Sequence, residues 1–503
     1  MNERRDVYGL MTEKKCDIVL RIFRKEEKTV KKILFISLAV VLALSIGLIG
    51  CGGEEVPEIP EQPSVLVIGA ARDTDEDLAV FEQLAAGPCM REFVDYVNND
   101  LGGVHLKAYD TTAGEVYVPL EIDLREINVQ TWDIGDITAE ICADIADGDA
   151  HFLFGGPGTD CLFTQAPIAN GAKTVILTFE GGATVIANDP TKLAKWPYVF
   201  LALSYSDWYQ IPVLAQMLED ELGRTPKAYV VHIEGEHGDE YLQIAQANYD
   251  VVGHAEIPYN PADYAPLADS VMDTAIAALG DPADPNYDLF SCNAYPFHCI
   301  PTMGSAIAKG FNPRAMVFGP GSNFGFFAYS FGEPPDPLLL DGVMGYTMAA
   351  YAATPEIQAV YDRIAARLDD DAGDPISGIP GLPGILSLDY WGVPCYWAAC
   401  EMWLAAIEQV GYVDQELLRD AMAGFEDNPI KTVMADETWF RMYGTPGNGG
   451  GQTDYLCHTG EIGQWQSAVF ETVGYEGITD DLPNYITTAP FMFPMNDQWN
   501  WLP

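Results

Sequence analysis

Five short segments combine glycine with hydroxyl, amide or charged side chains just after apolar runs, where an open α/β sheet presents its ligand-facing loops. They are Gly155-Gly-Pro-Gly-Thr-Asp160, Thr178-Phe-Glu-Gly-Gly-Ala-Thr184, Glu234-Gly-Glu-His-Gly-Asp239, Asn293-Ala-Tyr-Pro-Phe297 and Gly319-Pro-Gly-Ser-Asn-Phe324. Glycine lets a ligand approach backbone N–H groups, and serine or threonine adds a hydroxyl. Such a set suits non-covalent capture of a small polar molecule. Other chemistries find less support. The chain has no Gly-x-Ser-x-Gly elbow, and no Gly-Lys-[Ser/Thr] follows Gly155, so neither a serine hydrolase nor a phosphate loop is indicated. His232 and His237, with Glu234, Glu236 and Asp239, would need an unusual loop to share a metal ion, unlike the rigid helical spacing of H-E-x-x-H. A C-x-x-C pair for a zinc ribbon is absent. No nucleophile stands with a base, so the expectation is a non-enzyme that uses neither metal nor cofactor.

The elements that must hold these segments alternate. Ser64 to Ala71 reads as a buried strand and Asp77 to Leu101 as an amphipathic helix, with Leu78, Phe81, Phe93 and Val97 inward. Strands follow at Val104–Tyr109, Ala150–Phe154 and Lys173–Leu177, with a helix from Cys161 to Ala169. After Tyr198–Tyr205 the pattern starts again. Strands at Pro226–His232, Tyr287–Cys292 and Ala315–Phe318 are interleaved with helices at Asp239–Val251, Ala262–Leu279 and Pro301–Lys309. Helices at Pro355–Leu368, Pro394–Val410 and Gln415–Ala423 complete the pattern, with loops at Asp369–Gly384 and Gly444–Asp454 and irregular chain after Gln466. The fold class is therefore α/β: two Rossmann-like lobes with parallel sheets covered by helices on both faces. Aromatic residues between Tyr390 and Trp403 have the spacing of core packing rather than of a ligand cage.

Charge narrows the partners. The chain carries 26 basic and 74 acidic residues, and its first fifty hold 10 and 6, leaving 16 against 68 beyond them. A field of that sign repels nucleic acid and anionic headgroups, so neither is an expected partner. Lys28, Lys31 and Lys32 precede eighteen uncharged residues from Ile33 to Gly50, followed by Cys51 and an acidic, proline-containing stretch. That is the layout of a secretory signal. Leu48-Ile49-Gly50-Cys51 resembles the lipobox of bacterial lipoproteins, in which the peptide is cut before the cysteine and the thiol takes the lipid. Residues 1–50 are thus expected to be a signal peptide with an extended n-region, and 51–63 a lipidated, flexible tether. Beyond Cys51 the chain has eight cysteines, which permit disulfides; Cys142 with Cys161 and Cys292 with Cys299 are the pairs to test, whereas Cys395 and Cys400 aim apart on one helix.

The order of Ile68-Gly-Ala, Val97-Asn-Asn-Asp-Leu-Gly-Gly103, Phe154-Gly-Gly-Pro157, Trp196-Pro-Tyr-Val-Phe200, Ser206-Asp-Trp208 and Val317-Phe-Gly-Pro320 carries a further resemblance. With the lipobox, it is similar to the type I extracellular solute-binding proteins of ABC transporters, in the branch that binds leucine, isoleucine and valine or amides and urea. The resemblance spans nearly all the chain after Cys51. It implies a monomeric clamshell that delivers a solute to a membrane permease and its ATPase, on the outer face of the cell membrane or in the periplasm. A sensor of the same fold signalling to a receptor is the alternative. It also implies three crossings, near residues 203, 346 and 440, giving one lobe of 64–203 with 346–440 and another of 204–345 with 441–503.

Carried over residue by residue, the resemblance implies ligand contacts at Phe81, at Thr159 and Asp160, along Thr178, Glu180, Gly182 and Ala183, and at His237, Tyr295 and Ser322. Two departures stand out. Glu180 would repel the carboxylate of an amino acid, and neither Gly321 nor Ser322 supplies the acid that holds its amino group. The expected ligand is therefore a neutral or cationic small solute, such as an amide or amine.

Overall fold

The computed structural model describes residues 60–73, 82–107, 114–127, 150–155, 158–178, 196–202, 207–280, 288–331, 340–347, 354–371, 381, 383–390, 392–442, 451–454, 458–467, 469–477 and 489–494. Phe81, Glu180, Gly182, Ala183 and Cys51 lie outside these residues, as does the apolar run of the signal. Among the described residues no helix is long and apolar enough to cross a membrane.

Strand β1 (Leu66–Asp73) lies one strand in from the edge of a layer, and its Leu66, Ile68, Ala70 and Ala71 are fully buried, as a strand covered on both faces requires. A short hairpin, β2 (Val104–Lys107) and β3 (Glu115–Val118), forms its own two-stranded sheet, so the strand expected from Val104 lies outside the main layer. The main sheet also takes β4 (Leu120–Ile127), β5 (Phe152–Phe154), β6 (Ile176–Thr178) and β7 (Val199–Leu201). Its parallel register runs through Leu66↔Leu120, Ile68↔Phe152, Leu153↔Ile176 and Ile176↔Val199.

The second layer holds β8 (Lys227–Ile233), β9 (Asp250–Ile257), β10 (Leu289–Asn293), β11 (Ala315–Phe318) and β12 (Met344–Thr347), all parallel. The chain then returns to the first layer with the antiparallel pair β13 (Trp439–Met442) and β14 (Gly451–Asp454). It ends in the second with β15 (His458–Gln466) and β16 (Val469–Gly477). The strand orders are β13-β14-β7-β6-β5-β1-β4 and β16-β15-β12-β11-β10-β8-β9.

These returns correct three expectations. Gly444–Asp454 is not all loop, because β14 pairs with β7 through Gly451↔Phe200. The chain beyond Gln466 is not irregular throughout: β16 pairs along β15, its exposed Val469 and buried Phe470 alternating as an edge strand does. The third passage between layers falls between 454 and 458 rather than near 440, since β13 and β14 first extend the edge of the first sheet.

Helices fill both faces. Val393–Val410 is buried along most of its length, and Trp403, fully buried, meets Phe152 and Phe154 edge-on at 4.9 and 6.0 Å. Burying such a ring contributes about 3 kcal/mol. This is the core packing expected of that aromatic stretch, with Cys395 and Cys400 buried as free thiols. Leu153, Ile176 and Val199 face the opposite side, against Ala166 and Ala169 of helix Gly158–Ala172. In the second layer Tyr229, Val231, Phe290 and Phe318 pack on Met272 and Met303 from helices Ala268–Leu279 and Pro296–Lys309. Behind them Tyr241, on helix Glu236–Asn248, joins its hydroxyl to Ser291 (2.6 Å) and Tyr346 (2.8 Å).

Candidate functional site

The carboxyl ends of the strands gather the groups that a ligand in such a fold can reach. In the first layer β1 carries Arg72 one residue before its end, on the same face as Ile68 and Ala70, and the residue is wholly buried. Its guanidinium grips Glu82 in the first turn of the helical stretch Glu82–Asp100, Nε donating to Oε2 at 2.5 Å and Nη2 to Oε1. Nη1 donates to the Gly155 carbonyl, also at 2.5 Å, just past β5. Burial pushes the Glu82 carboxyl above its ordinary range, while the charge and hydrogen bonds of Arg72 oppose that shift. Two planar forks matched side-on form the strong, directional kind of ion pair. One buried pair thus ties the ends of β1 and β5 to the start of the first helix.

Gly155 is tight for a reason: a Cβ there would lie 2.9 Å from Thr178 Cγ2 and 3.2 Å from Gln165 Oε1. Thr178 ends β6, almost fully buried, with Oγ1 donating to Phe200 O at 3.5 Å. Thr159 and Asp160 fall in the first turn of helix Gly158–Ala172, so the backbone there turns its free N–H groups toward the same edge.

In the second layer, the residues two beyond the ends of β9 and β10 are Tyr259 and Tyr295, whose rings meet edge-on at 5.7 Å. Glu234, one residue past β8, accepts the Tyr259 N–H at 2.8 Å. Tyr295 precedes Pro296 at the start of helix Pro296–Lys309 and packs 6.1 Å from the His298 ring. His298 is fully buried, its Nε2 3.1 Å from Pro258 O, and burial lowers its pKa to about 4, so the ring is neutral. His237 sits in the first turn of helix Glu236–Asn248. Neighbouring His232 is almost fully buried, 5.6 Å from His254, with no side-chain hydrogen-bond partner for its ring nitrogens among the described residues, and burial lowers its pKa as well. Among the described residues no three histidine, cysteine or acidic side chains converge as metal ligands.

Ser322 departs from its expected place in the site. Its hydroxyl is buried between the carbonyls of Phe318 (3.0 Å) and Met344 (3.1 Å), and the Ser322 carbonyl accepts Trp465 Nε1 at 2.9 Å. The loop Gly319–Ser322 is pressed onto the start of helix Pro296–Lys309, because a Cβ at Gly321 would lie 2.4 Å from Cys299 Sγ and 2.8 Å from Ala294 O. Cys292 and Cys299 are both free, buried thiols.

Cations are distributed unevenly around these edges. Between positions 204 and 347 the chain has four, Arg224, Lys227, Lys309 and Arg314, and all lie at the amino ends of β8 and β11. Arg224 is paired there with Asp288 at 2.6 Å and Lys309 with Asp273 at 2.7 Å. Sequence reasoning overlooked Arg72, Glu82 and Tyr259. An arginine closing an otherwise apolar strand was the available signal for the first; nothing local marked Glu82 as its partner.

No family model matches the sequence, and no curated protein matches it. Solved structures match the fold. A leucine-binding protein from Thermotoga maritima superposes with a TM-score of 0.56 at 13% identity, over 83% of this chain and 100% of that one. The substrate-binding protein of a branched-chain amino acid transporter from Streptococcus pneumoniae, solved with isoleucine, gives 0.56 at 12%, over 82% and 99%. A solute-binding protein of an ABC transporter from R. palustris, solved with benzoate, gives 0.58 at 13%, over 83% and 98%. The fold is that of the type I periplasmic binding proteins.

Proposed function

We propose that this chain is an extracellular solute-binding protein that captures a small neutral or cationic solute, of the amide or amine kind, and passes it unchanged to an ABC permease and its ATPase. In this reading Cys51 carries the lipid, residues 51–63 form the tether, and the solute lies between the carboxyl edges of the two sheets. Thr159, Asp160 and Thr178, with Phe81, Glu180, Gly182 and Ala183, line one side, and His237 and Tyr295 line the other. The observation that carries the solute class is the charge layout. All four cations between 204 and 347 lie at the amino ends of strands, and Arg72 at the opposite edge is held by Glu82. At the second-layer edge a carboxylate solute would meet Glu234 and tyrosines, with the four cations of 204–347 all at the other ends of the strands, whereas an amide or ammonium group suits aromatic faces and carbonyl or carboxylate acceptors.

The test is calorimetry of the chain from residue 52 onward against amides, amines, amino acids and dicarboxylates, with mass spectrometry of any small molecule released on denaturation. Micromolar binding of an amide or amine is expected. Strong binding of leucine or succinate sinks the assignment. Turnover of the bound solute would make the protein an enzyme instead.

A further inference from the structure

The geometry points to Glu82 as a built-in counter-anion: its carboxylate occupies the Arg72 guanidinium and so keeps carboxylate solutes off the first-layer edge of the site. This rests on the proposed solute class and names the residue that sets it.

Three observations converge. Arg72 is wholly buried at the carboxyl end of β1, and it is one of two arginines on the described parallel strands at that edge, the other being Arg125 of β4, level with Ala71. Glu82 meets it through two N–H donors side by side, the arrangement in which a guanidinium receives a carboxylate from outside. A further contact, Nη1 to the Gly155 carbonyl, ties the group to the chain that leads from β5 toward Thr159, a residue assigned to the solute. The carboxylate thus comes from the protein itself and stands where an anionic solute would otherwise bind. With both charges buried and matched, the pair is neutral as a unit. An incoming anion would have to displace a tethered carboxylate, which acts at an effective concentration that a dissolved one does not reach. Electrostatic matching of this kind selects against a partner more than it strengthens binding of the right one.

The experiment substitutes Glu82→Gln and compares acetate, propionate and benzoate with acetamide and propionamide, by calorimetry and by thermal shift. Glutamine keeps a carbonyl for one N–H and removes the negative charge, so the guanidinium should accept a dissolved carboxylate. Carboxylates are expected to bind the variant about tenfold or more tightly than the native protein, with no matching gain for the amides. Glu82→Asp retains the anion and should keep rejecting carboxylates. The double variant Arg72→Met with Glu82→Met removes both charges and should gain no carboxylate affinity. If Glu82→Gln alone does not fold, refolding that depends on propionate and not on propionamide supports the inference, and the absence of any carboxylate dependence overturns it. A folded Glu82→Gln protein that rejects carboxylates as the native one does also overturns it. Native protein that already binds carboxylates with the pair intact refutes the solute class itself. Native protein that binds amides, paired with an unresponsive Glu82→Gln variant, refutes the role of Glu82 alone.

Discussion

Glu401 offers a test of buried electrostatics whose size can be worked out beforehand. It lies on helix Val393–Val410, where Oε2 accepts the Val433 N–H at 2.7 Å and Oε1 accepts Trp397 Nε1 at 3.2 Å. Burial outweighs both bonds and raises its pKa from the ordinary 4.5 to about 7. A raised carboxyl holds its proton more tightly folded than unfolded, so the stability it contributes is present below pH 4.5 and is lost as pH climbs through about 7. A displacement of that size is worth about 3 kcal/mol. Glu401→Gln stays neutral at every pH but turns an amide NH₂ toward one of the two donors, a fixed loss of about 1 kcal/mol. The variant should therefore be less stable than the native chain by about 1 kcal/mol near pH 4 and more stable by about 2 kcal/mol near pH 8. Urea unfolding followed by tryptophan fluorescence measures both proteins side by side, so the titrations of the many other acids cancel in the difference. Two curves that stay parallel across that range would refute the reasoning.

His298 should show the opposite slope. Its lowered pKa means that its stability is present above the ordinary 6.5 and is lost as pH falls toward 4, so His298→Gln should gain about 3 kcal/mol on the native chain over that descent, read by the same unfolding assay. Together the two groups partly cancel in the native protein, and each variant should expose the other's slope. Gly384→Ala places a methyl where the Ala365 carbonyl oxygen lies only 1.9 Å from the ideal Cβ, so backbone must shift. The expected loss is about 3 kcal/mol in chemical denaturation, at the upper end of overpacking costs.

The two-layer α/β build was legible because buried parallel strands such as Ala315–Phe318 are continuous apolar runs, and helices such as Val393–Val410 open with proline in the first turn and end at a glycine. What escaped was set by distant partners. β9 alternates exposed and half-buried residues at the sheet edge and shares its start with the end of a helix pattern, so Val251 read as helical. β14 and β16 are strands because β7 and β15 offer them hydrogen bonds, which no local pattern displays. The site divides in the same way. Tyr295 could be placed from its loop, whereas Ser322 looked available until Met344 and Phe318 closed around it, and Arg72 acquired its meaning from a glutamate ten residues on.

The short helix Gly384–Ser387 is wedged between two layers by glycines on either side. Gly384 rests on the Ala365 carbonyl and donates its N–H to Asp369 at 2.7 Å, while on the far side a Cβ at Gly325 would stand 2.1 Å from Leu386 O. From that far side Gly325 N donates to Leu388 O, and Tyr390 N donates to Asn323 O. Thr347 Oγ1 holds the Tyr390 carbonyl as well. Both flanks of the wedge are thus bonded, one to the helix Pro355–Asp370 and the other to the chain that follows β11 and to β12. Because one flank seats on the helix Pro355–Asp370 and the other on the chain after β11, any sliding of those two elements past one another must part the Gly384 backbone from Ala365 or Gly325 from Leu386.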